Sequence, residues 1–483
     1  MLRKTGMFFT FKAYLLLIME KTRLLKLLRT VTDKEIREFK KFARSPYFNH
    51  KTDLPLFFDY LVPYLKKGKP APSKQAAFAK LFPTAKYDDH RMRMLISQLF
   101  QLLCKYLAVS DFTADGVAEK LRLASIFRRR NLAFHFEQTW GKLTDLHEQQ
   151  PLRNADFFEK QFRISLEKYR SEYDLKQVDS QHLQALSKQL DMAFLARKLW
   201  QACFLLSHQT VSNVSYDFGM LEEALLFAEK KELLEKPAIA VYYYCYRALT
   251  QPQELVFFQK FKTLALQNDR LFPAEEMRDL YIQGINFCIR RYNAGNHEYL
   301  RDQFDFYKNG LEKNYFQVDG WLSRYTYQNA VTSALVLEEL DWAENFIHAY
   351  QKQLQAPYRE SVFSFNLARL EHQRKDFDKA LLLLQKAEYK DLHLHLAAKT
   401  LQLKIFYELN EYDLLDAHLQ AFKTFLRRKK DLGYHRENYL NTIRFTRKLL
   451  DLNPFDKNEK AVLKKEIQAA KGVGEKEWLL EQV

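Results

Sequence analysis

Hydrophobic and polar positions recur at a helical spacing along most of the chain. Apolar residues return every three or four positions in segments of roughly 12 to 20 residues, with polar residues on the opposite face, as in amphipathic helices. Proline or glycine marks the breaks between many of these segments, at Gln150-Pro151, Lys236-Pro237, Gln251-Pro252, Phe272-Pro273, Ala294-Gly295, Asp319-Gly320 and Ala356-Pro357. The pattern predicts an all-α fold made of consecutive helical hairpins.

An internal repeat organises the C-terminal half. An acidic residue followed by an aromatic one recurs at intervals of 35 residues, at Asp341-Trp342, Asp376-Phe377 and Glu411-Tyr412. A fixed period of this size indicates an array of helical hairpins, each of which buries its apolar face on its neighbours.

The middle repeat resembles the tetratricopeptide repeat in residue type and spacing. The residues that carry the resemblance are Leu367, Ala368, Phe377, Ala380, Leu384 and Ala387. The flanking units depart from the signature, with Asn345 at the position of Ala380 and Leu403 at the position of Ala368. The resemblance extends over about residues 321–430. It implies an α-solenoid of antiparallel hairpins. Because the helical-hairpin pattern continues on both sides, we expect the array to cover residues 111–470.

The resemblance also implies a binding groove lined by the first helix of each hairpin. Residues one turn before and after the packed small position would face a partner: Phe365, Arg369 and His372 in the middle unit, and Thr400, Lys404 and Tyr407 in the next. Aromatic and basic side chains together suit an extended peptide with acidic residues or a C-terminal carboxylate. We therefore expect a protein or peptide partner, with simple exposure of these side chains as the alternative.

Residues 20–110 are predicted to form a separate basic helical domain. Thr32 and Glu35 have the spacing of a capping box at the start of a helix, Pro46 ends that helix, and Ser73 can cap a later one. Thr32–Glu35 and Ser45–Asn49 also resemble the opening of bacterial helical-repeat proteins of unassigned function, which implies no activity. A linker is expected at residues 110–116 and a frayed tail at residues 471–483.

The first 19 residues contain the one candidate targeting segment. Arg3 and Lys4 precede an apolar stretch, but Lys12 interrupts it and no small-residue cleavage site follows. We prefer the interpretation that translation starts at Met19. A membrane anchor or a signal sequence is the alternative, and no membrane partner is otherwise expected.

The net charge of +16 is concentrated at the N-terminal end. Residues 1–130 hold 27 Lys and Arg against 11 Asp and Glu, whereas residues 131–483 hold 49 of each. Such asymmetry is typical of proteins that bind polyanions, because neutralising phosphates releases counterions. The candidate residues are Lys34, Arg37, Lys41 and Arg44 along one helix face, and the run Arg128, Arg129 and Arg130. A solvated charged face is the simpler interpretation.

Four widely spaced cysteines indicate a reducing compartment. Cys104, Cys203, Cys245 and Cys288 each lie in an apolar helical stretch and no two have metal-site spacing, so we expect buried thiols in a cytoplasmic protein.

The sequence shows no motif for catalysis, a cofactor or a metal. It has 12 Gly, and no glycine-rich phosphate loop, zinc-binding His-Glu-x-x-His or Gly-x-Ser-x-Gly elbow is present. His393 and His395 are two apart on a predicted helix and should point in different directions. We therefore predict a non-enzymatic interaction scaffold without cofactor, with a nucleic-acid-associated factor as the alternative. The sequence does not indicate an oligomeric state.

Overall fold

The computed structural model describes residues 19–65, 69–176, 178–212, 214–429, 432–433 and 435–483. The candidate targeting segment before Met19 lies outside these ranges. About 77% of the chain is helical and the described residues contain only two short strands, which confirms the all-α prediction. The chain divides into two compact units, one formed by residues up to 150 with residues 159–191, and the other by residues 151–158 with residues 192–483.

All regular secondary structure in the described residues of the first unit is helical. Its helices are α1 (Arg23–Leu28), α2 (Asp33–Arg44), α3 (Asp53–Leu61), α4 (Lys74–Leu81), α5 (Asp89–Ala114), α6 (Gly116–Arg129) and α7 (Ala133–Glu148). Two further helices cross the boundary between the units, namely α8 (Ala155–Asp174) and α9 (Ser180–Ser212). Short 3-10 turns precede α1, at Met19–Lys21, and follow α3, at Val62–Tyr64.

Local capping signals set the helix starts of the first unit. The Thr32 hydroxyl accepts from the Glu35 amide, and Glu35 accepts from the Thr32 amide, so the predicted capping box is present. Ser73 caps α4 as predicted, and Asp88 caps α5. Helix α2 ends at Arg44, immediately before Ser45-Pro46. A hydrophobic core that extends from Met19 to Tyr106 holds α1 to α5 together.

The linker predicted at residues 110–116 is helical for most of its length. Helix α5 continues to Ala114, and the chain breaks only at Asp115, whose carboxylate accepts from the amides of Val117 and Ala118 at the start of α6. The prediction was wrong because the residues at 111–114, Phe112 among them, lie exposed on the last turn of α5, and the break needs only one capping residue.

The second unit consists of consecutive helices that pair as hairpins. They are α10 (Leu221–Ala228), α11 (Lys231–Leu234), α12 (Pro237–Thr250), α13 (Leu255–Gln267), α14 (Ala274–Asn293), α15 (Tyr299–Glu312), α16 (Arg324–Val336), α17 (Leu340–Tyr350), α18 (Ala356–Gln373), α19 (Phe377–Lys386), α20 (Leu392–Glu408), α21 (Tyr412–Arg428), α22 (His435–Asp451), α23 (Lys457–Ala469) and α24 (Lys476–Glu481). Each hairpin from α12/α13 to α20/α21 packs helix on helix, and α16, α18 and α20 also pack in series. The fold is therefore a helical-repeat arrangement of packed hairpins.

The turns inside three successive hairpins share one backbone geometry. Glu338, Lys375 and Asn410 each adopt a left-handed conformation, with φ of 58°, 63° and 58°. The amide that follows each of them donates to a carbonyl five residues earlier, from Glu339 to Ala334, Asp376 to Glu371 and Glu411 to Phe406. This is the Schellman end of a helix. Asp376-Phe377 and Glu411-Tyr412 begin the next helix directly after this turn, whereas in the first hairpin Glu339-Leu340 takes that place and Asp341-Trp342 lies two residues further on.

A short antiparallel β-hairpin separates α15 from α16. Strand β1 (Gln317–Val318) pairs with β2 (Trp321–Leu322). Asp319 and Gly320 form the turn, with φ of 51° and 79°, which explains why the sequence breaks at this point.

The cysteine prediction is confirmed at three of the four positions. Cys203, Cys245 and Cys288 are buried, whereas Cys104 is exposed on α5. Cys104 lies on the opposite side of that helix from Leu99, Leu102, Leu103 and Tyr106, which face the core. The apolar stretch around Cys104 therefore did not show whether its thiol faces the core or the solvent.

No helix within the described ranges combines the length and the apolar character needed to cross a lipid bilayer.

Candidate functional site

The first helices of three successive hairpins line one cavity in the second unit, which we call the groove. It has a volume of about 1030 Å³. Its walls are α16, α18 and α20, and residues 475–482 of the C-terminal segment close one end together with Tyr439 of α22. The side chains that repeat along its length are at one-turn intervals, for example Phe365, Arg369 and His372 on α18.

Five of the six residues predicted to face a partner line the groove. They are Phe365, Arg369, His372, Thr400 and Lys404. The packed positions that defined them, Ala368 and Leu403, are fully buried between the helices. Tyr407 instead packs edge-to-face against Trp478, with ring centroids 5.5 Å apart. Thr400 is buried, and its hydroxyl donates to the Leu396 carbonyl of its own helix.

Arg369 is the central cation of the groove. Its Nη1 donates a 2.9 Å hydrogen bond to the Thr332 hydroxyl on α16, and that hydroxyl donates to the Gln328 carbonyl. Burial lowers the pKa of the Arg369 guanidinium, while the Glu475 carboxylate acts in the opposite direction. Within the described part of the chain, Arg369 forms no ion pair with a carboxylate.

Glu408 joins the groove helices to the C-terminal helix α24. Its Oε2 lies 3.1 Å from Nε2 of His372, and its Oε1 accepts a 2.8 Å hydrogen bond from the indole Nε1 of Trp478. Burial alone would raise the pKa of Glu408, but the contacts with His372 and Trp478 bring it below its ordinary value. The carboxylate therefore stays ionised at neutral pH.

The C-terminal segment, expected to be frayed, forms an ordered wall of the groove. Residues 476–481 are helical, Trp478 is 6% exposed and Leu479 is fully buried. Glu475 Oε2 lies 3.0 Å from Nζ of Lys404. The expectation failed because Gly472 and Gly474 indicate a break but not the end of structure. The apolar run Trp478-Leu479-Leu480 was the signal that could have revealed the helix.

The opposite end of the groove contains a second charged pair that the sequence reasoning missed. Nη1 of Arg324 on α16 lies 3.0 Å from Oδ2 of Asp391. The guanidinium also lies over the Tyr358 ring, 4.2 Å from its centroid. Asp391 caps α20 by accepting from the Leu394 amide, so the pair fixes α16 against the start of α20. Nothing local in the sequence connects residues this far apart.

The basic stripe of the first unit is exposed, and part of it is paired. Arg44 and Lys40 both contact Asp59, the latter at 3.2 Å, and Lys34 lies 3.9 Å from Glu38. Arg37 and Lys41 are exposed on the same face of α2, and neither forms an ion pair with any described residue. Two positive charges of the predicted stripe therefore lack a counterion among the residues that the structure describes.

The arginine run at the C-terminal end of α6 has one side chain in ion pairs and two that face solvent. Arg128 binds Glu167 at 2.6 Å and Asp174 at 2.9 Å, and its hydrogen bond to Glu167 raises its pKa. Arg129 is exposed and donates to the Ser125 carbonyl, and Arg130 is the exposed C-cap of α6. Arg128 therefore already has carboxylate partners, whereas Arg129 and Arg130 face solvent.

The two closely spaced histidines point apart, as helix geometry predicts. His393 lines the groove and packs against His435, with ring centroids 5.6 Å apart, while His395 packs against Tyr389 and Phe425. Burial, together with Lys399 and Lys429, lowers the pKa of His395. Across the described ranges, no three His, Cys, Asp or Glu side chains are grouped closely enough to hold a metal ion.

Comparison with known proteins gave no relative. No family model, curated protein or solved structure matches this chain. The function is therefore argued from the geometry of the groove and of the basic face alone.

Proposed function

We propose that the protein is a non-enzymatic interaction scaffold whose groove holds a segment of a protein partner. The observation that carries this proposal is the lining of one cavity by the first helices of three successive hairpins. This arrangement agrees with a tetratricopeptide-like array, in which such helices form the concave surface. The volume of about 1030 Å³ lies at the upper end of small-molecule pockets, which span about 300–1,000 Å³, and leaves room for a stretch of polypeptide.

The mixture of side chains in the groove also supports a peptide-binding role. Tyr325 and Val336 are exposed at its α16 wall, with 62% and 54% of their surfaces accessible. Charged residues stand among them, as on surfaces that bind extended or helical segments through apolar anchors and polar contacts.

Three charge pairs hold polar side chains of the groove in fixed positions. Arg324 is engaged with Asp391, His372 with Glu408, and Lys404 with Glu475. Charged groups in fixed positions can match the charges of a partner segment. A cytoplasmic location, in keeping with unpaired thiols, belongs to the same proposal.

A bulky substitution in the groove tests the proposal. Ala397 lines the groove on α20 and is half-buried, so Ala397→Trp should fill it. Random dodecapeptides displayed on phage would be selected on the full chain and then titrated against this variant. We expect the selected peptides to lose binding to Ala397→Trp. The matched control is Leu382→Trp on α19, where the native side chain is 66% exposed and lies outside the groove.

Two results decide the outcome. Loss of binding on Ala397→Trp and retention on Leu382→Trp would support the groove as the binding surface. Selected peptides that bind both variants as tightly as the unmodified chain would show that they use another surface and would contradict the proposal. Unchanged far-ultraviolet circular dichroism and thermal midpoint would show that both variants fold.

A second candidate function is the binding of nucleic acid by the first unit. The observation that favours it is the exposure of Arg37 and Lys41, which form no ion pair within the described ranges, together with Tyr47, which is 83% exposed just beyond the end of α2. Basic side chains can neutralise phosphates, and an exposed aromatic ring can stack on a base.

The second candidate has its own test on the full-length protein. Fluorescence anisotropy of short single- and double-stranded DNA and RNA would be recorded at about 50 and about 200 mM salt, because phosphate contacts weaken steeply over this range. Arg37→Glu with Lys41→Glu should abolish binding, whereas Arg427→Glu with Arg428→Glu, a matched charge reversal at the end of α21, should not. Equal binding by both double variants would reject the basic face of α2 as the site.

A further inference from the structure

Arg369 is a groove cation that forms no ion pair with a described carboxylate. Arg369 donates to the neutral hydroxyl of Thr332 at 2.9 Å, and its guanidinium lies 5.8 Å from the centroid of the Phe365 ring. The other groove cations differ, because Arg324 pairs with Asp391, Lys404 pairs with Glu475, and Lys476 donates to the carbonyls of Gln468 and Ala470. Arg369 is therefore the groove arginine that has no carboxylate partner among the described residues.

An arginine in this position is suited to receive an anion. The guanidinium carries five N–H donors in a fixed plane and stays charged at physiological pH, so its remaining donors can bind a carboxylate through two parallel hydrogen bonds. A half-buried charge without a counterion is costly, and this cost is relieved when an anionic ligand arrives. The neighbouring Phe365 and Val362 are buried and apolar, which strengthens a charge pair formed beside them.

The carboxylate of Glu475 lies within electrostatic range of Arg369. Glu475, at the start of the C-terminal helix, stabilises the charged form of Arg369 without contacting it, and its Oε2 is bound to Lys404 instead. Glu475 adopts a left-handed conformation with φ of 53° and is exposed. Its negative charge offsets part of the field that an incoming anion would experience.

We propose that the groove selects its partner segment by one Asp or Glu side chain, which pairs with Arg369, and that Glu475 competes for the same positive charge. This inference rests on the proposed function and adds the chemistry of the segment. The segment would carry the acidic residue beside apolar residues that contact Phe365 and the exposed Val336. Recognition of the acid sets specificity, because a neutral amide at that position would leave the arginine charge uncompensated.

The composition of selected peptides tests this selection rule. Phage-displayed random dodecapeptides would be selected separately on the unmodified chain and on Arg369→Gln. We expect Asp or Glu to be enriched at one position of the peptides taken from the unmodified chain, and this enrichment to vanish for Arg369→Gln. Arg427→Gln on α21 changes the net charge equally and should keep the enrichment.

Affinity measurements on one selected peptide complete the test. The peptide would be labelled with fluorescein, amidated at its C-terminus, and compared with a variant in which its acidic residue is the matching amide. The acidic form should bind the unmodified chain about tenfold more tightly or better, and both forms should bind Arg369→Gln equally, as in a double-mutant cycle. Glu475→Gln should tighten the acidic form a few fold and leave the amide form unchanged.

The outcomes separate this inference from the proposed function. Peptides that require the groove, as shown by loss on Ala397→Trp, but that contain no enriched acid would overturn the inference and leave the groove in place. Selected peptides that bind Ala397→Trp as tightly as the unmodified chain would contradict the proposal that the groove is the binding surface. A weaker binding of the acidic peptide to Glu475→Gln would contradict the competition between Glu475 and the ligand.

Discussion

The indole Nε1 of Trp478 donates a 2.8 Å hydrogen bond to Oε1 of Glu408, which lies 70 residues earlier in the chain. Oε2 of the same carboxylate contacts His372, so one acid connects α18, α20 and the C-terminal helix. Leu479 is fully buried beside this contact in a cluster with Leu403 and Leu415. The end wall of the groove is therefore fixed by a polar contact and by apolar packing together.

Removal of the Glu408 carboxylate should loosen the C-terminal helix. Glu408→Ala leaves the indole of Trp478 and the imidazole of His372 without this partner. We expect the free energy of unfolding to fall by about 1 to 3 kcal/mol, the usual cost of an unsatisfied buried polar group. Hydrogen exchange measured by mass spectrometry should show faster exchange in residues 475–482. Glu388→Ala, at an exposed site, is the control. Unchanged exchange in that segment would mean that apolar packing alone holds the helix.

The contribution of Glu408 should depend on pH. Its pKa in the folded protein is below its ordinary value of about 4.3, so the carboxylate stabilises the fold fully above about pH 4.3. The contribution is lost as the pH falls through the lowered folded value. Urea unfolding of the unmodified chain and of Glu408→Gln should therefore differ near pH 7 and converge in acid. A difference that stays constant down to the lowest pH of the folded state would contradict the ionised contact.

Two glycines should respond in opposite ways to the same substitution. A Cβ at Gly284 would lie 2.5 Å from Cζ of the buried Phe306, whereas nothing lies within 4 Å of one at Gly141. Gly284→Ala overpacks the contact between α14 and α15 and should lower the free energy of unfolding by about 1 to 3 kcal/mol. Gly141→Ala, inside α7, should stabilise by up to about 1 kcal/mol. Thermal unfolding of both variants measures these effects, and a neutral Gly284→Ala would show that the two helices can separate at little cost.

The capping box at the start of α2 should contribute measurably to the first unit. The Thr32 hydroxyl accepts from the Glu35 amide at 3.3 Å, and Thr32→Ala removes this acceptor at an expected cost of about 1 kcal/mol. Thr32→Ser keeps the acceptor and should be nearly neutral. Urea unfolding of the three proteins gives the comparison. If serine costs as much as alanine, the methyl group of Thr32, and not its hydroxyl, would be responsible.

The sequence was sufficient to predict those features that depend on neighbouring residues, namely helix ends and helix faces. Thr32, Ser73 and Pro46 set helix ends through their own side chains, and these ends lie where the pattern predicts them. The helical period placed Arg369 and Lys404 on the helix face next to the packed positions Ala368 and Leu403, and the structure brings both into the groove. Such information is carried within one or two turns of helix.

The sequence was not sufficient to predict contacts between residues that lie far apart in the chain. Arg128 contacts Glu167 and Asp174, which lie 39 and 46 positions away, and no local pattern reveals that its charge is already compensated. The return of Trp478 to Glu408 likewise depends on how the last hairpins pack. Charge counts can therefore identify a basic region, but the partners of its individual side chains come only from the tertiary structure.

The most direct measurement of the central claim is a hydrogen-exchange footprint of a selected peptide on the full-length protein. If a partner segment occupies the groove, slower exchange should appear in α16, α18, α20 and residues 475–482, and Ala397→Trp should abolish it. Exchange in α19 and α21 should remain unchanged. Slower exchange confined to α19 and α21, or to the first unit, would contradict the assignment of the groove as the binding surface.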